Sequence, residues 1–219
     1  MTGTLTLFLA ARDAGCPRIV FASTSAVYGD DPALPKRETK PPAPLSPYAS
    51  SKLAGEQLCQ VFARTFGVEA AALRYFNVYG PGQDPNSAYA AVIPRFLAAL
   101  TSGRQPTIYG DGRQSRDFVA VDDVVEANLL AAATPGIGGR AFNVATGSAI
   151  TLNELLALLA GIVAVPAAAR YEPERAGDIR HSLADVSAAR AALGFAARVP
   201  FADGLRRTVE ALIGEPALV

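Results

Sequence analysis

The sequence predicts an α/β protein built on a parallel sheet, and three observations carry that expectation. Residues 18–25 and 68–76 are short, nearly unbroken apolar runs, the pattern of strands buried on both faces. Between them, residues 48–66 place Leu53, Leu58, Val61, Phe62 and Phe66 at helical spacing. Strand, helix and strand in alternation mark a sheet whose strands run parallel through helical crossovers.

The remaining elements follow in chain order. Residues 2–14 carry Leu5, Leu7, Leu9 and Ala10 at helical spacing and stop at Gly15 and Pro17. The first strand, RIVFASTS, passes from apolar residues into small hydroxyls, as expected where a parallel strand reaches the edge of its sheet. Six prolines in residues 29–47 predict a long loop. Gly67 stops the helix over 48–66. After the second strand, NVYGPGQDPN at 77–86 predicts a turn-rich loop leading into a helix over 91–101. A helix over 121–133, a strand over 141–144 and a helix from Thr151 follow, the last opened by a capping box with Glu154. Residues 185–213 predict two more helices.

Composition excludes several classes of function. The chain has 219 residues, half of them hydrophobic, enough for one or two cores. Twenty basic side chains balance twenty acidic ones, so no overall field attracts a nucleic acid or an anionic membrane. Cys16, Cys59 and the single histidine, His181, form neither a disulfide framework nor a metal-ligand cluster, and no metal is expected. The most apolar stretch, 155–169, is broken by Gly161 and Pro166 and is shorter than the ~20 residues of a membrane span. The first residues lack a positive n-region and read as a helix rather than a secretory signal, so the expected location is cytoplasmic. Among the basic residues 17 are Arg and three are Lys (Lys36, Lys40, Lys52), a bias toward forked contacts with phosphate or carboxylate.

Two glycine-rich stretches invite reading as phosphate loops, and both fail on context. Residues 136–141 (GIGGRA) fit G-x-G-x-x-A but lie between a helix and a strand, the reverse of the strand-to-helix order the mechanism needs. Gly110-Asp111-Gly112 is a turn with no helix after it. A stronger pattern is Tyr48-Ala49-Ser50-Ser51-Lys52 at a helix start, where a spacing of four puts phenol and ammonium on one face. A fixed cation beside a phenol favours the phenolate, which suits a tyrosine general base. The same spacing also fits an ordinary helix start with a solvated lysine.

Five segments together resemble one family. FASTSAVYG (21–29), SPYASSK (46–52), LRYFNVYGPGQDP (73–85), YGDGRQSRDFVAVDDV (109–124) and ERAGDIRHSLAD (174–185) are similar, in order, to motifs of the extended short-chain dehydrogenase/reductase family of nucleotide-sugar epimerases and dehydratases. The likeness covers nearly the whole chain and points to the branch acting on UDP-glucose and UDP-N-acetylglucosamine. It implies a partial doubly wound Rossmann sheet with a smaller α+β substrate-binding domain. Residues 1–80, rejoined by 117–150, would form the C-terminal half of the NAD-binding domain; 81–116 and 151–219 would form the interleaved substrate domain. About three βα units that open the family, roughly 90 residues at ~30 per unit, have no counterpart in the resemblance. Among them is the glycine-rich loop under the NAD pyrophosphate.

The resemblance also implies roles. Tyr48 would be the catalytic base, Lys52 its partner and a ligand of the nicotinamide ribose, and Thr24 the hydroxyl holding the sugar's O4. Phe76 would contact the nicotinamide side of NAD. Asn77, Arg116 and Arg175 would bind the diphosphate, Tyr109 would lie beside the uracil, and Asp178 would accept from a ribose hydroxyl. Arg116 and Arg175 also fit simple ion pairs with Asp117 and Glu174, and Phe76 and Tyr109 fit core packing. Ser25 and Ala26 stand where the dehydratase branch carries an acidic pair, which disfavours water elimination. Ser182, at a position that is bulky in some relatives, leaves room for an N-acetyl group. The expected reaction is 4-epimerisation of a UDP-hexose through a 4-keto sugar, by a homodimer formed through the helices at 2–14 and 48–66. Two rivals stand beside it: a non-catalytic remnant that binds UDP-sugar weakly, and a UDP-uronic acid epimerase or nucleotide-sugar reductase.

Overall fold

The computed structural model describes residues 2–83, 91–175 and 179–214. Its centre is a three-stranded parallel sheet in the order β1 (Arg18–Thr24), β2 (Glu69–Tyr75) and β7 (Ala141–Val144). Register aligns the carboxyl ends: Thr24 faces Tyr75, and Tyr75 faces Val144. The middle strand explains itself, since Ala70, Ala71, Ala72 and Leu73 are almost wholly removed from solvent and small side chains let helices approach both faces.

One face is covered by α1 (Thr2–Asp13) and α2 (Pro47–Phe66). Phe8, Cys59 and Phe62 pack there on Val68, Ala70 and Ala72. Gly55 allows the contact between α2 and β1, because a Cβ at that position would lie 2.1 Å from the Phe21 ring. Ser46 caps the start of α2 by accepting from the Ala49 amide, Pro47 supplies a helical φ at the first turn, and Gly67 closes the end in the left-handed region at φ 68°. The opposite face carries α4 (Val121–Ala133) and α6 (Ser187–Leu193), with Val124, Ala127, Ala131 and Leu193 against Leu73 and Phe142.

A second core lies among α3 (Val92–Thr101), α5 (Leu152–Ile162) and α7 (Phe201–Gly214), where Phe96, Leu100, Leu155, Leu159, Leu205 and Val209 pack around Tyr79 and Phe118. The capping box predicted at the start of α5 is formed in both directions between Thr151 and Glu154.

Three further strand pairs form that the hydrophobic pattern did not announce. The predicted loop over 77–86 opens instead as β3 (Asn77–Tyr79), parallel to β6 (Phe118–Ala120); residues 80–83 form the expected turn, and 84–86 lie outside the described residues. β4 (Thr107–Tyr109) pairs with β9 (Arg170–Glu172), and β5 (Ser115–Arg116) with β8 (Ile150–Thr151). Two or three residues are too few to show a period of two, so these strands are set by their partners rather than by their own composition. Among the described residues no helix is long and apolar enough to cross a membrane, and no group of three His, Cys, Asp or Glu could hold a metal ion.

Candidate active site

The candidate site is assembled at the carboxyl ends of β1 and β2, where open parallel sheets bind ligands. The cap at Ser46 fixes where α2 begins and so places Tyr48 in its first turn, with the ring 56 % exposed. One turn on, the Lys52 ammonium lies 5.8 Å from the centre of the Tyr48 ring and 5.4 Å from that of Phe21. It donates to the Ala22 carbonyl at 2.9 Å, which anchors the lysine to the strand that ends in Thr24. The Thr24 hydroxyl accepts from the Ala26 amide at 3.2 Å, caps the short 3-10 turn Ser25–Tyr28, and keeps its own hydrogen for donation. Tyr48, Lys52 and the end of β1 thus form one corner.

Two residues beyond β2, Asn77 starts β3 and faces a cavity of about 860 Å³, within the range of pockets that take small organic ligands. Asn77, Tyr109, Arg116 and Arg175 all line it. The Arg175 guanidinium carbon lies 3.6 Å from the centre of the Tyr109 ring. Glu174 is engaged elsewhere, accepting from Arg180 at 2.8 Å. Arg116 Nη1 donates to the carbonyls of Ser115 (2.9 Å) and Arg180 (3.2 Å). Asp117, next in sequence, is buried and serves as an anchor: its carboxylate accepts from the Thr146 amide and hydroxyl and from the amides of Gly147 and Ala184. Burial pushes the Asp117 carboxyl above its ordinary pKa, and these four donors pull against that rise.

Other predicted residues sit apart from the cavity. Phe76 is buried with Val27, Tyr28, Ala145 and Ala184, so its ring packs the core beneath the site. Ser182 is nearly buried and does not line the cavity; its amide bonds to the Ser115 carbonyl at 3.0 Å, directly behind Arg116. Asp178 lies outside the described residues.

Residues that the motifs did not single out complete the lining. Arg95, Arg104 and Arg170 bring the arginines around the cavity to five, which suits an anionic ligand. Gln114 donates to the Tyr109 carbonyl at 2.6 Å, while its Oε1 is buried without a hydrogen-bond partner. The excess of arginine in the composition was the available signal for the first group; Gln114 lies within the 109–124 motif, which assigned it no role.

Fold and site together define a parallel α/β protein with a phenol–ammonium pair at the sheet edge and an arginine-lined cavity beside it. The family model described as "NAD dependent epimerase/dehydratase family" matches residues 1–145, and the chain belongs to that family. A UDP-glucose 4-epimerase of Mycolicibacterium smegmatis is 41 % identical over 211 residues, covering 96 % of this chain and 67 % of the relative. The solved UDP-N-acetylglucosamine 4-epimerase of Methanobrevibacter ruminantium M1, in complex with UDP-N-acetylmuramic acid, superposes with a TM-score of 0.93 at 40 % identity, over 98 % of this chain and 68 % of that one. The UDP-glucuronic acid 4-epimerase of Bacillus cereus, solved with UDP-glucuronic acid and NAD, gives a TM-score of 0.88 at 30 % identity, over 96 % and 66 %. This chain therefore spans about two thirds of the length of these relatives. By family it is an NAD-dependent enzyme of nucleotide-sugar chemistry.

The residues present fit the nicotinamide end of that cofactor: an ammonium tethered to a strand end and an exposed phenol stand at the carboxyl edge of a parallel sheet. The segment 136–141 joins α4 to β7, and so has the helix-to-strand order that disqualifies it as a pyrophosphate loop.

Proposed function

We propose that this protein catalyses NAD-dependent 4-epimerisation of a UDP-hexose through a 4-keto sugar, with UDP-GlcNAc/UDP-GalNAc and UDP-glucose/UDP-galactose as its substrate pairs. One observation carries the reading: the Tyr48–Lys52 pair stands beside the end of β1, whose register neighbour β2 leads within two residues to the arginine-lined cavity. NAD, when bound, supplies a reversible hydride acceptor. Tyr48 takes the proton from the sugar's O4 and later returns it, as a general base and then acid. Lys52, held by its bond to Ala22, would bind the nicotinamide ribose and stands as the cation beside Tyr48. Thr24 donates to O4 and so orients the hydroxyl toward Tyr48.

In the same reading Arg116, Arg175 and Asn77 bind the diphosphate, Tyr109 lies beside the uracil, and Asp178 accepts from the ribose. Holding the nucleotide this firmly would leave the sugar as the part that turns, so that either face of C4 could be presented to the bound cofactor. Phe76 supports the nicotinamide side from the core. Ser182 leaves space near the sugar's C2 substituent. The rival reading, a UDP-uronic acid substrate, is tested by including UDP-glucuronic acid among the sugar nucleotides assayed. A homodimer through α1 and α2 is part of the proposal, supported by Leu5, Leu7, Val61 and Phe66, all exposed on these helices; sedimentation of the wild type against Leu7→Glu tests it.

The deciding experiment supplies purified protein with NAD and each sugar nucleotide and follows interconversion. Epimerisation that falls ~10²–10⁴-fold in Tyr48→Phe, with KM little changed, is the expected result. Protein that binds NAD and UDP-sugar yet shows no interconversion would overturn the reading in favour of a binding remnant.

A further inference from the structure

Beneath the catalytic corner lies a buried charged pair that the epimerisation scheme does not use. Glu56 and Arg74 are both 4 % exposed. Glu56 Oε1 accepts from the Ser23 hydroxyl at 2.5 Å and from Arg74 Nε at 2.9 Å, and Oε2 accepts from Arg74 Nη2 at 2.7 Å. Arg74 also lies with its guanidinium carbon 4.8 Å from the centre of the Tyr28 ring, and Tyr28 donates to Asn143 Oδ1 at 2.7 Å. A buried ion pair gains little stability over apolar side chains of the same size, since desolvation cancels much of the attraction. The guanidinium is held on its other side by the Tyr28 ring.

What the pair does achieve is a connection. Glu56 follows Lys52 by one turn and Tyr48 by two, on the same side of α2. Ser23 immediately precedes Thr24, and Arg74 comes three residues before Asn77. One carboxylate thus joins α2, which carries the phenol and ammonium, β1, which ends in the hydroxyl, and β2, which ends two residues before the first cavity residue. Hydrogen bonds of fixed direction set a register along the helix axis that apolar contact, being non-directional, does not.

We infer that Glu56 and Arg74 are positioning residues, a clamp that fixes the axial register of α2 against the ends of β1 and β2 and so sets Tyr48 and Lys52 relative to Thr24. This rests on the function proposed above, and its test is built so that the two can fail separately. The variants are Glu56→Leu/Arg74→Met, which keeps bulk while removing both charges, and Glu56→Gln, which keeps shape. At a temperature where circular dichroism shows the variant folded, kcat falls at least tenfold in the double variant while KM for the UDP-sugar changes less than twofold. Because the measurement is made where the variant is fully folded, a loss of stability alone would leave both constants unchanged. A readout without turnover accompanies it: the chain has three lysines, so the rate of competitive acylation of Lys52 is measured against Lys40, and rises at least threefold when the clamp is broken. Equal labelling in wild type and folded variant, or kcat within twofold of wild type, overturns the inference. If the double variant does not fold, Glu56→Gln carries the same measurements with a threefold loss of kcat expected. If the wild type itself does not epimerise, the proposed function falls, and Lys52 labelling still decides the clamp.

Discussion

The guanidinium of Arg175 is stacked on the ring of Tyr109, 3.6 Å from guanidinium carbon to ring centre. Stacking uses the face of the guanidinium and leaves its edge donors for a phosphate, a geometry that lysine cannot reproduce. Arg175→Lys is therefore expected to raise KM for the UDP-sugar about tenfold while kcat moves much less, and calorimetry with UDP alone should show the same loss. Because the contact is charged and exposed, the wild-type affinity should fall as salt is raised, and the variant's should fall less.

Ser182 tests the breadth of substrate. Its backbone is tied by the bond to the Ser115 carbonyl, so the main chain cannot readily shift to make room for a larger side chain. Ser182→Tyr should lower kcat/KM for the N-acetylated pair by at least tenfold and leave the plain hexose pair within about threefold. Equal effects on both pairs would remove Ser182 from the specificity argument.

The two thiols should behave differently. Cys16 is exposed, whereas Cys59 is buried between α2 and the sheet, and burial together with the neighbouring Glu56 pushes its thiol up to about 12. Only the thiolate attacks a disulfide reagent. One equivalent should titrate in the native protein near pH 8 and two in denaturant. Two in the native state would mean that α2 separates from the sheet.

Glu69 sets part of the acid limit of stability. Its carboxyl is held below the usual range, first by the Arg18 guanidinium at 2.6 Å and then by the Gly136 amide. A depressed carboxylate adds stability that is present above its unfolded value, about pH 4.3, and is lost as pH falls through the folded one. Glu69→Gln should therefore lower Tm at neutral pH and flatten the fall of Tm below about pH 5. An unchanged acid limb would show that the pair contributes nothing measurable, as exposed pairs often do.

Much of the fold was legible because long elements carry their own signals. The helical period over 48–66 and the stop at Gly67 predict α2 to within a residue, and the Thr151–Glu154 box predicts the start of α5. The motif spacing also placed Tyr48 and Lys52 on one helix face. The short strands at 77–79, 107–109 and 170–172 were not legible, because three residues carry no period and owe their form to a distant partner. For the same reason Arg175 could be read as a partner of Glu174, its neighbour in sequence, when its contact is the ring of Tyr109, 66 positions away.

The sequence by itself determined the parallel α/β core, the phenol–ammonium pair and the likeness that names the family, all properties of local spacing and ordered motifs. Only the tertiary structure decided that five arginines share one cavity, that Phe76 spends its ring on the core, and that Glu56 reaches Ser23 and Arg74 on two different strands. Such contacts depend on how α2 crosses the sheet, and that crossing is set by side-chain packing at positions like Gly55 and Phe21, far apart in the chain and adjacent only once it has folded.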